Sequence, residues 1–185
     1  MGGVSSSVVR RAHSPVMVVR GKPLAPPTKI LLATDGSEDA QLAVDTALDL
    51  SGKLDSELHV VYVEPTPEKH SEPVRFAVDL PLEAVEIVEE EAKTKLEKLV
   101  EGMGEEGAAV KEAQAGVGLP DAEIVALAED LGVGLVAVGS RGLGGIRRAL
   151  MGSVSDSVVG HAHCCVLMVR HERERSAEHG ADFGT

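Results

Sequence analysis

The order of hydrophobic patterns along this chain of 185 residues constrains its fold more than any other feature. Short apolar runs, typical of buried strands, occur at residues 29–34, 57–63, 108–115, 133–138 and 166–170. Segments with apolar residues at helical spacing separate these runs, so strand and helix are predicted to alternate between residues 28 and 170. Such alternation favours an α/β, doubly wound fold, in which a parallel sheet has right-handed crossovers and helices on both faces.

Local signals predict where the connecting helices begin and end. Ser37 is a candidate N-cap for the first of them, and Ser51-Gly52 is expected to end it. Residues 64–79 contain three prolines and are expected to form a loop. Two later helices are predicted at residues 120–131 and 153–162.

The longest helix carries an apolar stripe formed by Val85, Val88, Ala92, Leu96, Leu99 and Met103. We expect this stripe to pack on the chain's own sheet, although a helix that binds a partner would show the same pattern.

A glycine-rich segment lies between the strand at 133–138 and the last helix. It begins with Gly139-Ser-Arg-Gly142 and ends, after nine residues, with Gly152-Ser153. Glycine lacks a Cβ atom, so its N–H can approach an anion closely, and a helix N-terminus adds unpaired N–H donors. The segment therefore predicts a phosphate-binding loop, although a tight strand-to-helix connection would also use glycine. It is not a Walker loop, because the sequence contains no Gly-Lys-Ser/Thr.

An internal repeat relates the first residues of the chain to its last predicted helix and strand. Residues 1–20 align without gaps on residues 151–170, and twelve of the 20 pairs are identical. Shared composition would not produce this agreement. Residues 1–20 are therefore expected to be the last helix and strand of a preceding copy of the same domain.

This repeat gives a predicted domain organisation. Residues 1–20 are the remnant of a repeat and residues 21–27 a linker. Residues 28–170 form a whole domain, and residues 171–185 a disordered tail with little to bury.

Charge and composition exclude several classes of function. The formal net charge is −12 and only three aromatic residues occur, so binding to nucleic acid or to an anionic membrane is not expected. No apolar run reaches the length of a membrane span. The two cysteines, Cys164 and Cys165, are adjacent and cannot form a disulfide framework, which fits a reducing cytoplasm. We therefore expect a cytoplasmic protein.

Two motifs together resemble those of the universal stress protein family, in its ATP-binding branch. One is Gly139-x2-Gly142-x9-Gly152-Ser153, and the other is Ala33-Thr-Asp-Gly-Ser37 at the end of the first strand of the domain. The similarity covers about residues 28–170. It implies a five-stranded parallel sheet of order 3-2-1-4-5, with ATP at the carboxyl ends of strands 1 and 4.

The resemblance also implies which residues contact the nucleotide. From the adenosine to the phosphates they are Ala33, Thr34, Asp35, Val63, Val138, Gly139, Arg141, Gly142, Gly152, Ser153 and Val154. Asp35 would accept polar hydrogens of the nucleoside, and Val63 would touch the base. Magnesium or manganese would lie on the phosphates rather than in a protein cage. Arg147 and Arg148 could add charge-assisted contacts.

The resemblance implies a non-enzymatic, stress-related regulatory protein whose conformation or association responds to ATP. The alternative is an enzyme that hydrolyses ATP slowly or transfers an adenylyl group. Asp35 could serve as a general base, but no His, Lys or Cys occupies a matching position to complete such a site, so no catalytic residue is assigned. Asp35 could also simply cap the turn in which it lies.

Four potential metal ligands, His161, His163, Cys164 and Cys165, lie within five residues. Alternate residues entering a strand point to opposite faces, and the repeat keeps only His13 of the four. Neither a metal site nor a redox switch of the two cysteines is therefore expected.

The family resemblance also implies a homodimer formed through the last strand, Val166 to Arg170. An unpaired sheet edge favours such association. The copy of this strand at Pro15 to Arg20 is expected to dock antiparallel against it, in its own chain or in a partner's.

Overall fold

A computed structural model of the protein describes residues 3–21, 25–65, 82–105, 109–142 and 151–170. Six strands and five helices occur in this part of the chain. In chain order they are α1 (Gly3–Arg11), β1 (Val16–Val18), β2 (Lys29–Ala33), α2 (Glu38–Leu54), β3 (Glu57–Pro65), α3 (Leu82–Glu105), β4 (Val110–Gly118), α4 (Pro120–Asp130), β5 (Leu135–Gly139), α5 (Ser153–His161) and β6 (Cys165–Val169).

All six strands form one sheet of order β1-β6-β5-β2-β3-β4. From β6 to β4, every neighbouring pair is parallel, so the predicted α/β fold and the order of the five domain strands are confirmed. The sheet has six strands rather than the five of the domain alone, because β1 pairs antiparallel with β6 of the same chain. The expected antiparallel docking of the copy at Pro15 to Arg20 is therefore confirmed, within one chain. An unpaired β6 would expose a row of backbone donors and acceptors, and β1 satisfies them.

The sheet has an apolar core on each face. On one face, α2 and α3 pack over residues that include Ile30, Leu32 and Val60. On the other face, helices α1, α4 and α5 contribute Val9, Ile124 and residues of α5 to a second cluster. Burial of both faces explains why the central strands are almost continuously apolar.

The apolar stripe of α3 faces the sheet, as predicted. Ala92, Leu96 and Met103 are buried in the cluster beneath α2 and α3, and Leu99 is partly buried against it. The reading of this stripe as an amphipathic helix packed on its own sheet is therefore confirmed.

Two predicted boundaries are wrong. Helix α2 does not end at Ser51-Gly52 but continues to Leu54, where Asp55 adopts a left-handed conformation with φ of 54°. The Asp55 N–H donates to the Ser51 carbonyl, so the helix is capped one turn later than expected. Glu64 and Pro65 belong to β3 rather than to a loop, because β4 pairs with β3 as far as Pro65.

The predicted tail at 171–185 and most of the predicted loop at 66–79 lie outside the described residues.

Candidate functional site

The candidate site lies where β2 and β5 end. These strands are parallel neighbours, and Ala33 on β2 is in register with Val138 on β5. The chain leaves β2 towards α2 on one face of the sheet, whereas α5, which follows β5, contributes to the core on the other face. This is a crossover point in a doubly wound sheet, the position at which such folds open a crevice for a ligand.

The turn after β2 is fixed by its own side chains. The Ser37 N–H donates to Asp35 Oδ1 at 3.0 Å, and the Gly36 N–H donates to Thr34 Oγ1 at 3.3 Å. Gly36 has a φ of 77°, which favours glycine. Ser37 is the N-cap of α2, since its Oγ accepts from the Ala40 N–H at 3.2 Å. One oxygen of Asp35 therefore caps the turn, which is the structural role that the sequence allowed for it.

The second oxygen of Asp35 reaches across to the segment that follows β5. A Cβ atom added to Gly142 would lie 2.3 Å from Asp35 Oδ2, so any side chain here would displace this carboxylate from its present position. The two sequence motifs, which are more than one hundred residues apart, thus meet at one point.

The N-terminus of α5 is held against the end of β5. The Gly152 N–H donates to the Ser140 carbonyl at 2.8 Å, and the Ser155 hydroxyl donates to the Gly139 carbonyl at 2.6 Å. Gly152 is the N-cap residue, and no side chain caps the helix. The first-turn N–H groups that follow, beginning with Ser153, have no acceptor within the helix and carry its positive dipole end.

Gly152 has a different role from Gly142. Its φ is −76°, and a Cβ atom there would make ordinary contacts at 3.5 Å with Arg141 and Ser140. Its N–H is already used by Ser140. The structure therefore does not require glycine at residue 152 for its backbone conformation, in contrast to the close approach at Gly142.

The predicted apolar contacts form one side of this region. Ala33, Val63 and Val138 are buried in the same cluster, and Val154 of α5 packs against that cluster. Ser153 is exposed, whereas Arg141 and Gly142 are partly buried. Residues 143–150, which include Arg147 and Arg148, lie outside the described residues.

Sequence reasoning missed two residues that shape this region. Ser140 is 1% exposed, and its N–H donates to the Val169 carbonyl at 2.7 Å. Ser155 is 3% exposed and ties α5 to β5. A signal was present for Ser155, because the repeat keeps it as Ser5. Ser140 had no comparable signal.

The cysteine and histidine group, His161, His163, Cys164 and Cys165, spans the end of α5 and the start of β6. Burial raises the pKa of the Cys164 thiol, which disfavours the reactive thiolate. Within the described ranges, no group of three or more His, Cys, Asp or Glu side chains is arranged to hold a metal ion.

None of the helices in the described part of the chain is long and apolar enough to cross a membrane.

The fold and the crossover site define a doubly wound α/β protein with a candidate ligand site at the carboxyl ends of its strands. The chain belongs to the universal stress protein family, whose sequence model matches residues 27–170. A universal stress protein of Methanocaldococcus jannaschii is 32% identical over 146 residues, which cover 79% of this chain and 84% of the relative.

Solved structures share the fold. A universal stress protein from Archaeoglobus fulgidus superposes with a TM-score of 0.60 and 22% identity, covering 91% of this chain and 54% of that one. A universal stress protein in complex with cAMP superposes with a TM-score of 0.53 and 24% identity, covering 77% of this chain and 97% of that one.

Proposed function

We propose that this protein binds ATP at the β2/β5 crossover and acts as a non-enzymatic regulator in a stress response. One observation carries the proposal: the carboxylate of Asp35 lies against Gly142, beside the N-terminus of α5. This arrangement offers an acceptor for nucleoside hydroxyl or amino hydrogens and, next to it, N–H donors suited to phosphates.

The proposed contacts follow from this geometry. Thr34 and Asp35 directly follow β2, Gly139 ends β5 with Gly142 three residues later, and Ser153 begins α5. The nucleoside would lie on the Asp35 side, and the phosphates would point towards α5. Any magnesium or manganese would be held by the phosphates, since the described residues form no cage of ligands.

A regulatory role is favoured over catalysis by the surroundings of Asp35. Its Oδ1 is occupied by the Ser37 N–H, which orients the side chain as a fixed acceptor rather than as a proton shuttle. The nucleotide would then act by stabilising one conformation or association state. We further propose a cytoplasmic location, consistent with its two free cysteines.

The proposal is tested by identifying the nucleotide in freshly purified protein. Denaturation followed by mass spectrometry should release ATP in a ratio to protein close to one, and ADP or AMP should not accumulate over hours. Repeated turnover would overturn the non-enzymatic role and establish the hydrolase or adenylyl-transfer alternative. No released nucleotide, together with no calorimetric binding of added ATP, would overturn the site.

A second ligand is a necessary comparison, because one structure of this fold holds cAMP. Titration with ATP and cAMP separately, each with and without magnesium, distinguishes a triphosphate site from a cyclic-nucleotide site. We expect tighter binding of ATP, since the donors at α5 would meet more anionic oxygens.

A further inference from the structure

The contact between residues 3–20 and the rest of the protein has an approximate two-fold symmetry. In the repeat, Met17 corresponds to Leu167, and these two residues are also partners in the β1–β6 ladder. On either side, Val16 pairs with Met168 and Val18 pairs with Val166. The repeat matches Val16 to Val166 and Val18 to Met168, so it converts one of these pairs into the other. The strand pairing is therefore what two copies of β6 would form around a two-fold axis.

The helix contacts repeat the same symmetry. Arg170 donates to the carbonyls of Val9 and Ala12 at the C-terminal end of α1. Its counterpart Arg20 donates to the carbonyls of Val159, at 2.5 Å, and Gly160 at the C-terminal end of α5. Each arginine thus caps the helix of the other unit, where carbonyl groups lack partners within the helix.

One contact breaks the symmetry in favour of the intramolecular pair. Arg10 on α1 forms a two-point ion pair with Asp156 on α5, at 2.6 and 3.1 Å. The residue that corresponds to Arg10 is Gly160, so two copies of α5 could not make this contact. They would instead bring the Asp156 side chains of both units to this surface without an arginine.

We propose that residues 3–20 are an intramolecular cap that imitates a second copy of α5 and β6. By occupying the two-fold surface of its own domain, the cap keeps the chain monomeric, and a homodimer through β6 forms only when the cap is released. The partner of the exposed surface is then the same surface of a second copy of this chain.

The connection between the cap and the domain favours the intramolecular state. Residues 19–28 join β1 to β2, and a linker of this short length gives an effective concentration of roughly millimolar. At micromolar protein, a second copy with equal intrinsic affinity would therefore lose to the cap by a factor of about 1,000.

The test uses full-length variants in which only the cap changes. Val18 packs against the core cluster, and Arg20 caps α5, so Val18→Asp with Arg20→Ala should release residues 3–20. The matched control is Val19→Asp with Arg11→Ala, because Val19 is 54% exposed and Arg11 is exposed. Both variants lose one arginine and gain one aspartate, so they have the same net charge.

Sedimentation velocity over a concentration series gives the expected result. The wild type and the control should remain monomers of 19.3 kDa, whereas the test variant should dimerise at protein concentrations at least about tenfold lower. A wild type as dimeric as the test variant would overturn the proposal. So would a test variant that stays monomeric while hydrogen exchange shows the cap released.

A covalent test covers the case in which the released variant does not fold. In a background with Cys164 and Cys165 changed to alanine, Met17→Cys with Leu167→Cys places two thiols at directly opposed strand positions. Mild oxidation should give a cross-linked monomer. A disulfide-linked dimer as the main product would show that the segment docks between chains and would overturn the intramolecular cap.

Discussion

At the residue scale, the missing side chain of Gly142 is what allows Asp35 to approach the segment after β5. We predict that Gly142→Ala displaces the Asp35 carboxylate, because the new Cβ atom would lie 2.3 Å from its Oδ2. The expected cost is about 1–3 kcal/mol in the free energy of unfolding. Calorimetric affinity for ATP should fall at least about tenfold, since a loss of one well-placed contact to a charged group has this size.

The matched control for this substitution is Gly160→Ala in α5. A Cβ atom there meets nothing within 4 Å, and alanine is the better helix former. This variant should keep the affinity for ATP and unfold at the same or a slightly higher temperature. Equal ATP affinity in Gly142→Ala and Gly160→Ala would show that Gly142 does not contribute to the ATP site.

The two oxygens of Asp35 predict different effects for two substitutions. Asp35→Asn keeps an oxygen that can accept from the Ser37 N–H, so the conformation of the turn should be nearly unchanged. ATP affinity should nevertheless fall by about tenfold, because the charged acceptor is lost. Asp35→Ala should lose both the turn contact and the affinity. An Asp35→Asn variant with unchanged ATP affinity would assign Asp35 to the turn alone.

At the element scale, a three-residue network joins β3 to α3. Glu64 Oε2 accepts from Lys95 Nζ and from the Tyr62 hydroxyl, each at 2.5 Å. Lys95 also lies 5.8 Å from the centre of the Tyr62 ring. These bonds, that of Lys95 first, hold the pKa of Glu64 below its usual value, and burial is the main reason why the pKa of Tyr62 is raised.

The lowered pKa of Glu64 predicts a pH-dependent contribution to stability. A carboxyl group whose pKa is lower in the folded state stabilises the fold above its unfolded pKa, and that contribution is lost as the pH falls through the folded pKa. Glu64→Gln should therefore lower the thermal midpoint at pH 7, and the difference from wild type should shrink below about pH 4. Glu97→Gln, at an exposed position on α3, is the control and should show no such pH dependence. A constant difference between wild type and Glu64→Gln from pH 7 to pH 3 would contradict the assignment.

The hydrogen bond from Ser155 to the Gly139 carbonyl works at the same scale. It fixes the first turn of α5 on the last residue of β5. The position of the α5 N-terminus is thus set by its direct contact with β5 as well as by the glycine-rich segment.

At the scale of the whole molecule, the sheet has two different edges. One edge is β4, and the other is β1, which covers β6. Met17 on β1 and Val19 just after it remain exposed, whereas their repeat counterparts Leu167 and Val169 are buried in the cluster beneath α2 and α3. If residues 3–20 act as the proposed cap, association of this protein should depend on whether β1 or a second copy occupies the edge of β6, as the cap variants test.

The sequence by itself determined the class of fold and the approximate position of most elements, because periodic burial is a local feature and the alternation of strand and helix favours a parallel sheet. The order of the parallel strands came only from the family resemblance that two motifs carry. The sequence also determined the repeat, because twelve identities in 20 pairs need no coordinates. The helix end at Asp55 was not predictable, because its left-handed cap depends on how α2 meets the start of β3.

Only the tertiary structure decided how the distant parts combine. It places Asp35 against Gly142 and pairs β1 with β6 within one chain. It also directs Arg20 to the end of α5 and Arg170 to the end of α1. These contacts join residues that are 100 or more positions apart. Local propensity carries no information on which distant residues will touch, since these contacts arise only when the sheet has formed and its helices have packed.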